Sequence, residues 1–251
     1  MLNVLSIIIP VLLAVYFAVA YRSKLNSRDS SVLVFSFLIA ILTVVPSLMI
    51  KFAAAQLGFK PETGEYSVAS NILFANLGYA FFSSFIDEFN KYMVIAAYAY
   101  RRKEFDEPLA GILVSVMIAM GFTLGENLYF ILSENDQYAG TWRMLTAIPA
   151  SLSFAVILGY NSGMSKYGLD SDDLSSMGLR MRGLFTATLF HALYFFFLFL
   201  KDYKSIMTLM VIAGVILLIQ VVLALFRARR LHVRLMYSRS RRSKQALENP
   251  F

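Results

Sequence analysis

Long apolar stretches recur along the whole chain and constrain its fold more than any other feature. A helix of about 20 apolar residues spans the ~30 Å hydrocarbon core of a bilayer, and each stretch reaches or approaches that length. The stretches occupy residues 2–21, 32–55, 70–100, 108–132, 143–163, 183–200 and 205–226. The sequence therefore predicts an all-α fold, a polytopic bundle of about seven transmembrane helices integral to the cytoplasmic membrane.

Composition supports this class of protein and excludes several kinds of chemistry. The 251 residues are 58% hydrophobic and include no cysteine, which excludes disulfides, thiolate metal ligands and a cysteine nucleophile. His191 and His232 are the only histidines, so the two-histidine HExxH zinc motif cannot occur. The net charge is +7, but eight Lys or Arg lie in the last 25 residues. The basic charge is therefore a property of the tail, and we expect no nucleic acid partner.

The distribution of Lys and Arg predicts the orientation of the bundle, because short basic loops stay on the cytoplasmic side. With the N-terminus outside, the cytoplasmic segments hold 17 Lys or Arg and the external segments hold four. Cleavage after Ala20, at a sequence that resembles a signal-peptidase site, is disfavoured because it would leave Arg22 and Lys24 outside. We predict a transmembrane bundle over residues 1–226 and a basic cytoplasmic tail over 227–251, which can also contact anionic headgroups.

Two stretches depart from a simple apolar span. The third covers 31 residues, about 46 Å as one helix, so it must tilt, protrude or break, and Gly78 is the candidate break. The second contains Pro46, which predicts a kink, and Lys51 near its far end. We expect Lys51 to extend toward the membrane interface.

Three ionisable side chains, Asp87, Glu88 and Lys91, lie at depth in the third stretch. Each charge costs ~2.5 to 3.5 kcal/mol at the centre of a membrane helix, so such residues mark functional sites by default. Lys91 follows Asp87 by four residues and Glu88 by three, so its ammonium can reach either carboxylate on one helix. The alternative is a buried ion pair that only holds helices in register.

Further polar groups occur at depth on the next three stretches. They are Glu126 and Asn127 on the fourth, Ser151 and Ser153 on the fifth, and His191 on the sixth. Because isolated charges at that depth are costly, we expect Glu88, Glu126 and His191 to converge within roughly 10 Å. Glu126 reaches that depth if the fourth helix begins in the cytoplasm.

Two carboxylates, an imidazole and an amide in a dry site are what metal-assisted hydrolysis requires. His and Glu can hold Zn²⁺, a second Glu can take a proton from water, and Asn can bind a developing oxyanion. A proton or ion relay would use the same residue types. A lone histidine such as His191 is more often a structural hydrogen bonder between helices.

Four segments of the chain resemble the PrsW family. Asp87-Glu88-Phe89-Asn90-Lys91 resembles its EExxK motif, with Asp for the first Glu, and Gly121 to Tyr129 resembles its Gly-Phe...Glu-Asn-x-x-Tyr segment. The family's next helix is similar to Arg143 with Pro149 through Gly159, and its His-Ala-Leu-Tyr element is similar to Leu189 through Tyr194. The resemblance covers roughly residues 70–195 and implies a catalytic-type core over about 70–200.

This resemblance implies an intramembrane endopeptidase, within a superfamily that includes CAAX prenyl proteases and bacteriocin-processing enzymes. The implied partners are the lipid bilayer and a membrane-anchored protein or peptide substrate; the family's best-known member cleaves a membrane-bound anti-sigma factor. Glu88 would be the acid-base or water activator, Glu126 and His191 would lie in the site, and Asn127 would support it. The implied cofactor is zinc, with Glu88, Glu126 and His191 as its ligands and with Asp87, Lys91 and Ser151 nearby.

Ser151 departs from the family pattern, which has Pro-x-His where this chain has Pro149-Ala150-Ser151. A hydroxyl is a poor zinc ligand compared with imidazole, so the chain is a variant with a remodelled site, an inactive relative or an engineered knockout. The alternative function is therefore a catalytically impaired relative that binds or regulates a membrane helix. An ion carrier is disfavoured because the two halves of the chain show no repeat. A serine intramembrane protease is also disfavoured, because the sequence around Ser162 only approximates the GxSG motif.

Overall fold

The computed structural model describes residues 2–21, 31–61, 70–133, 146–167, 174–199, 212 and 214–234. Within these ranges the regular structure is helical and contains no strand, which confirms the all-α class. The helices are α1 (Leu2–Tyr21), α2 (Ser31–Gln56), α3 (Ser70–Ala97), α4 (Pro108–Ser133), α5 (Ile148–Lys166), α6 (Leu174–Phe199) and α7 (214–234). A short 3-10 helix, Ala99–Arg101, follows α3.

The helix α4 is the centre of the bundle. Side chains are buried all round it from Pro108 to Leu124, with the single exception of the half-buried Leu109. It packs against α1, α2, α3 and α5, while α6 packs against α3 and α5. A helix that is apolar all round buries every face, so α4 takes the central position and the other helices surround it.

Glycines bring α4 and α5 into close contact. A Cβ added to Gly159 of α5 would lie 2.7 Å from the Cα of Ile112 on α4, and one added to Gly163 would lie 2.6 Å from the Cα of Pro108. Gly111 of α4 faces the same crossing, against the backbone of both α5 glycines. Small residues let membrane helices approach closely and gain van der Waals contact, which is the main attraction between helices in lipid.

The helix bounds agree closely with the apolar stretches at α1, α2 and α4. Of the three alternatives for the long third stretch, the break at Gly78 does not occur, because α3 is continuous from Ser70 to Ala97. The helix α6 begins at Leu174, well before the predicted start at residue 183, and α7 continues past residue 226 into the basic segment. Apolarity marks the part of a helix inside lipid, whereas backbone hydrogen bonding continues into water.

Two described helices, Ser31–Gln56 and Pro108–Ser133, are long and apolar enough to cross a membrane by length and composition. The segment Val4–Ala20 is apolar but shorter. These two helices are candidate membrane spans, and the count of seven spans and their orientation stay predictions. Arg143, which is part of the family resemblance, lies outside the described residues.

Candidate active site

Glu88 and His191 meet where α3 packs against α6. Nδ1 of His191 lies 2.9 Å from Oε1 of Glu88, and Nζ of Lys91 lies 2.6 Å from the same oxygen. Glu88 is fully buried and His191 is only 6% exposed. The two residues are 103 positions apart in the chain, so their contact depends on how α3 and α6 pack. Of the three residues expected to converge, Glu88 and His191 are therefore in contact.

Aromatic rings hold the imidazole of His191 in place. The ring of Phe154 on α5 stacks on it with centroids 4.9 Å apart, and Phe195, one turn along α6, stacks on it at 4.7 Å. Stacking fixes the plane of the imidazole, and the Glu88 carboxylate then fixes which edge of the ring faces α3. The histidine therefore has one orientation with a defined hydrogen-bond partner.

Asp87 belongs to a separate buried ion pair between α2 and α3. Its Oδ2 accepts from Nζ of Lys51 at 2.6 Å, and its Oδ1 accepts from the hydroxyl of Ser47 at 2.5 Å. The prediction that Lys51 extends to the interface is wrong: its side chain is 14% exposed and points at Asp87. Pairing with Lys51 is more favourable for the buried carboxylate of Asp87 than remaining without a counter-charge.

Ser151 is buried one turn before Phe154 on α5, and it accepts a hydrogen bond from Thr123 of α4 at 3.0 Å. The residue that departs from the family pattern thus lies next to the ring that stacks on His191. Two hydroxyls satisfy each other here, and neither carries charge. Ser153 faces away, donating to the backbone carbonyl of Pro149.

Glu126 and Asn127 occupy the same region of α4 but have different surroundings. Glu126 is half-buried and close enough to Lys91 to interact with it electrostatically. Asn127 is fully buried and donates from its side-chain amide to the backbone carbonyl of Ser6 on α1, at 2.7 Å. That donor therefore ties α1 to α4, and the catalytic roles of both residues stay predictions.

Several buried polar atoms around the Glu88–His191 contact have no hydrogen-bond partner among the described residues. They are Oε2 of Glu88, the hydroxyl of Ser84 one turn earlier on α3, and the hydroxyl of Thr188 one turn before His191 on α6. Buried polar groups are nearly always satisfied, so the free oxygen of Glu88 is a place for bound water, an ion or a substrate. A carboxylate with one free oxygen beside an oriented imidazole can accept and return a proton.

Glu88, Glu126 and His191 were expected to form a metal site, and the described residues bring only part of that site together. No group of three His, Asp or Glu side chains among them is close enough to hold a metal ion. Glu88 and His191 supply two donors. The ammonium of Lys91 contacts Oε1 of Glu88, the same oxygen that His191 contacts. A lysine cation and a metal cation would repel at that distance.

The sequence did not assign five residues to the surroundings of Asp87, Ser151 and His191. They are Ser47, Lys51, Thr123, Phe154 and Phe195. Ser47 and Lys51 stand four apart on α2, a spacing that places both on one face and was available as a signal. Thr123 and the two phenylalanines carry no such signal. They are ordinary residues of apolar helices, and only packing brings the two phenylalanines to His191 and Thr123 to Ser151.

The fold and this cluster define a helical membrane protein with an acid–imidazole site buried between its helices. The PrsW family of intramembrane metalloproteases has a sequence model that matches residues 29–225, and the chain belongs to that family. No solved structure matches the chain.

Three relatives, each named protease PrsW, are 28 to 29% identical to this chain. The relative from Geobacillus kaustophilus matches over 59% of this chain and 60% of its own length. The relative from Clostridioides difficile matches over 53% and 56%, and that from Halalkalibacterium halodurans over 69% and 73%. The chain therefore spans less than two thirds of the length of the first two.

Proposed function

We propose that the protein is an intramembrane endopeptidase that cleaves a membrane-anchored protein or peptide at the Glu88–His191 site. Three facts support this: family membership, the burial of the acid and the imidazole between apolar helices, and the names of the relatives. The observation that carries the proposal is the 2.9 Å contact between Glu88 and His191, with the second oxygen of Glu88 unpaired among the described residues.

The geometry supports a general acid–base route. The second oxygen of Glu88 takes a proton from water as the water oxygen bonds to the scissile carbonyl carbon. The proton then passes to the leaving nitrogen as the C–N bond breaks, which leaves a carboxyl and an amine terminus. Lys91 balances the carboxylate charge, and His191 keeps the carboxylate oriented while the adjacent hydroxyls of Ser84 and Thr188 can bind the substrate backbone.

A metal ion is implied by the family description, and zinc is the metal that the motif resemblance implies. Catalytic zinc commonly has three protein ligands and one open position. Glu88 and His191 could be two of them, but Lys91 lies against the oxygen they share, and no third acidic or histidine donor from the described helices completes the group. As arranged, these donors do not fit zinc, and Glu126 as a third ligand stays a prediction.

The Ser151–Thr123 hydroxyl pair favours one alternative function. The protein would be a catalytically impaired relative that acts as a membrane-helix binding or regulatory protein. Hydroxyl oxygens hold zinc poorly, and Ser151 stands where the family pattern has an imidazole. Such a protein would keep the buried cluster as a binding surface without cleaving what it binds.

Reconstituted protein tests the two functions. Proteoliposomes would hold the chain with a panel of single-span reporter proteins, and mass spectrometry would detect new fragment termini. We expect fragments from the unmodified protein, and at least a ~100-fold loss for Glu88→Gln and for His191→Asn, because acid–base groups contribute ~10² to 10⁴. Glu104→Gln, outside the site near the 3-10 helix, is the matched control and should retain activity.

The alternative predicts no fragments from any variant, together with reporter capture that survives Glu88→Gln.

Zinc binding is tested on the same proteins by measuring their metal content after purification. Ser151→His adds an imidazole one turn from the ring that stacks on His191, so we expect it to bind more zinc than the unmodified chain. Equal zinc content in both would show that position 151 does not lie at a metal site.

A further inference from the structure

A cavity of about 420 Å³ opens between α5, α6 and α7, apart from the Glu88–His191 site. Its lining residues recur every three or four positions along each helix, with adjacent pairs at Tyr160–Asn161 and Leu223–Ala224, so each helix contributes one face. The volume lies within the ~300 to 1,000 Å³ typical of small-molecule sites. The C-terminal half of α5, the N-terminal part of α6 and the middle of α7 border it. The predicted orientation puts this region near the cytoplasmic surface.

Two arginines from different helices face this cavity. Arg182 comes from α6 and Arg227 from α7, and no Asp or Glu is among the described residues that line it. Neither guanidinium has an ion-pair partner within the described part of the chain. Guanidinium groups bind phosphate in a bidentate manner, so a cavity lined by two arginines and by no described acid suits an anion.

The rest of the lining changes from polar to apolar. Tyr160 and Asn161 of α5 add hydrogen-bonding groups, whereas Ile157 and Leu223 supply apolar surface. Arg182 and Arg227 stand immediately outside the apolar stretches 183–200 and 205–226, so both cations lie at the predicted membrane boundary. A ligand that matches this lining has an anionic head at the boundary and an apolar tail beside the helices.

The helix α7 is held in place, so the cavity is a feature of the fold. Ala224 and Ala228 are buried against the core. Farther along, Nδ1 of His232 lies 2.8 and 3.0 Å from the two carboxylate oxygens of the buried Glu107, just before α4. These contacts fix α7 on both sides of Arg227.

We propose that this cavity binds one anionic phospholipid, with its phosphate diester between Arg182 and Arg227 and an acyl chain along the apolar lining. Basic pockets between membrane helices on the cytoplasmic side bind anionic headgroups in this way. The proposal does not depend on the protease function, because it rests on residues outside the Glu88–His191 cluster.

Native mass spectrometry of the full chain tests it with phosphatidylglycerol, phosphatidylcholine and glycerol phosphate as probes. We expect phosphatidylglycerol to bind with one high-affinity stoichiometry and the other two to bind weakly. Arg182→Gln with Arg227→Gln should weaken that binding about tenfold or more, since each charge-assisted contact is lost. The control is Arg229→Gln with Arg234→Gln, which removes the same charge from exposed positions of α7 outside the cavity and should leave binding unchanged.

Equal weakening in both double variants would overturn the proposal, because the lipid would then be held by general surface charge. Glycerol phosphate binding as tightly as the lipid would also overturn it, since the site would then serve a soluble phosphate. Both double variants should keep the melting temperature of the lipid-free protein, because the substituted side chains are exposed.

Discussion

Asp87 and Glu88 are adjacent in the chain, yet each carboxylate has its own lysine. Asp87 faces α2 and pairs with Lys51, whereas Glu88 faces α6 and pairs with Lys91 of its own helix. Successive residues of a helix point about 100° apart, so neighbouring acids contact different helices. This division leaves Glu88 in contact with His191 and lets Asp87 serve α2–α3 packing.

The Lys51–Asp87 pair is predicted to be structural. Lys51→Met leaves a buried carboxylate without its counter-charge and should lower the free energy of unfolding by ~3 to 5 kcal/mol. Adding Asp87→Asn to it should restore part of that loss, because the uncompensated charge is removed. Unfolding in mixed micelles measures both, with the exposed Lys103→Met as control. A loss no larger than the control's would show that the pair contributes nothing to the fold.

At the scale of elements, the α4–α5 crossing determines where the residues around His191 lie. The glycines on α4 and α5 bring the two backbones into contact, and this close approach lets Thr123 of α4 reach Ser151 of α5. The same register directs Phe154 of α5 onto His191. A wider crossing would move the stacking ring away from the imidazole even if every helix remained formed.

Two glycine substitutions separate packing from helix propensity. Gly159→Ala puts a methyl group against the α4 backbone and should destabilise the fold by ~1 to 3 kcal/mol through overpacking. Gly178→Ala, on an exposed turn of α6 with no described atom within 4 Å of the added carbon, should be stabilising by up to ~1 kcal/mol. Thermal unfolding in detergent measures the two shifts. If both substitutions shifted stability in the same direction, the crossing would not be as tight as described.

At the scale of the whole molecule, charge is distributed unevenly between the two predicted sides of the membrane. The cytoplasmic segments hold 17 Lys or Arg and the external ones hold four. The helices α4, α5 and α6 pack in sequence along the bundle, each against the next. In the predicted orientation, the proposed lipid-binding cavity and the basic end of α7 share the cytoplasmic side.

The orientation predicts where reporters will lie. A reporter fused after Phe251 should be cytoplasmic, and one inserted at Gln137 should be external, because the positive-inside bias directs every loop the same way. Paired reporters that are active only in the cytoplasm or only outside it provide the measurement. Finding both reporters on one side would mean that the chain between them crosses the membrane an even number of times, or not at all.

The sequence by itself determined the helical class, most helix positions and the family. Apolar stretches of about 20 residues have few other stable arrangements in lipid, so α1, α2 and α4 could be located to within a residue or two. The motifs around Glu88, Glu126 and His191 were enough to identify the PrsW family, which the match over residues 29–225 confirms. Helix ends in polar segments, as at α6, could not be located because hydropathy does not report them.

Only the tertiary structure decided which polar groups meet. Local spacing allowed Lys91 to pair with either acid, and nothing in the sequence of α2 showed that Lys51 would take Asp87. The rotation of each helix about its axis depends on side-chain packing with its neighbours, and that rotation brings His191 to Glu88. Pairings between helices are therefore set by the shape of the whole bundle, because residues 103 positions apart share no local signal.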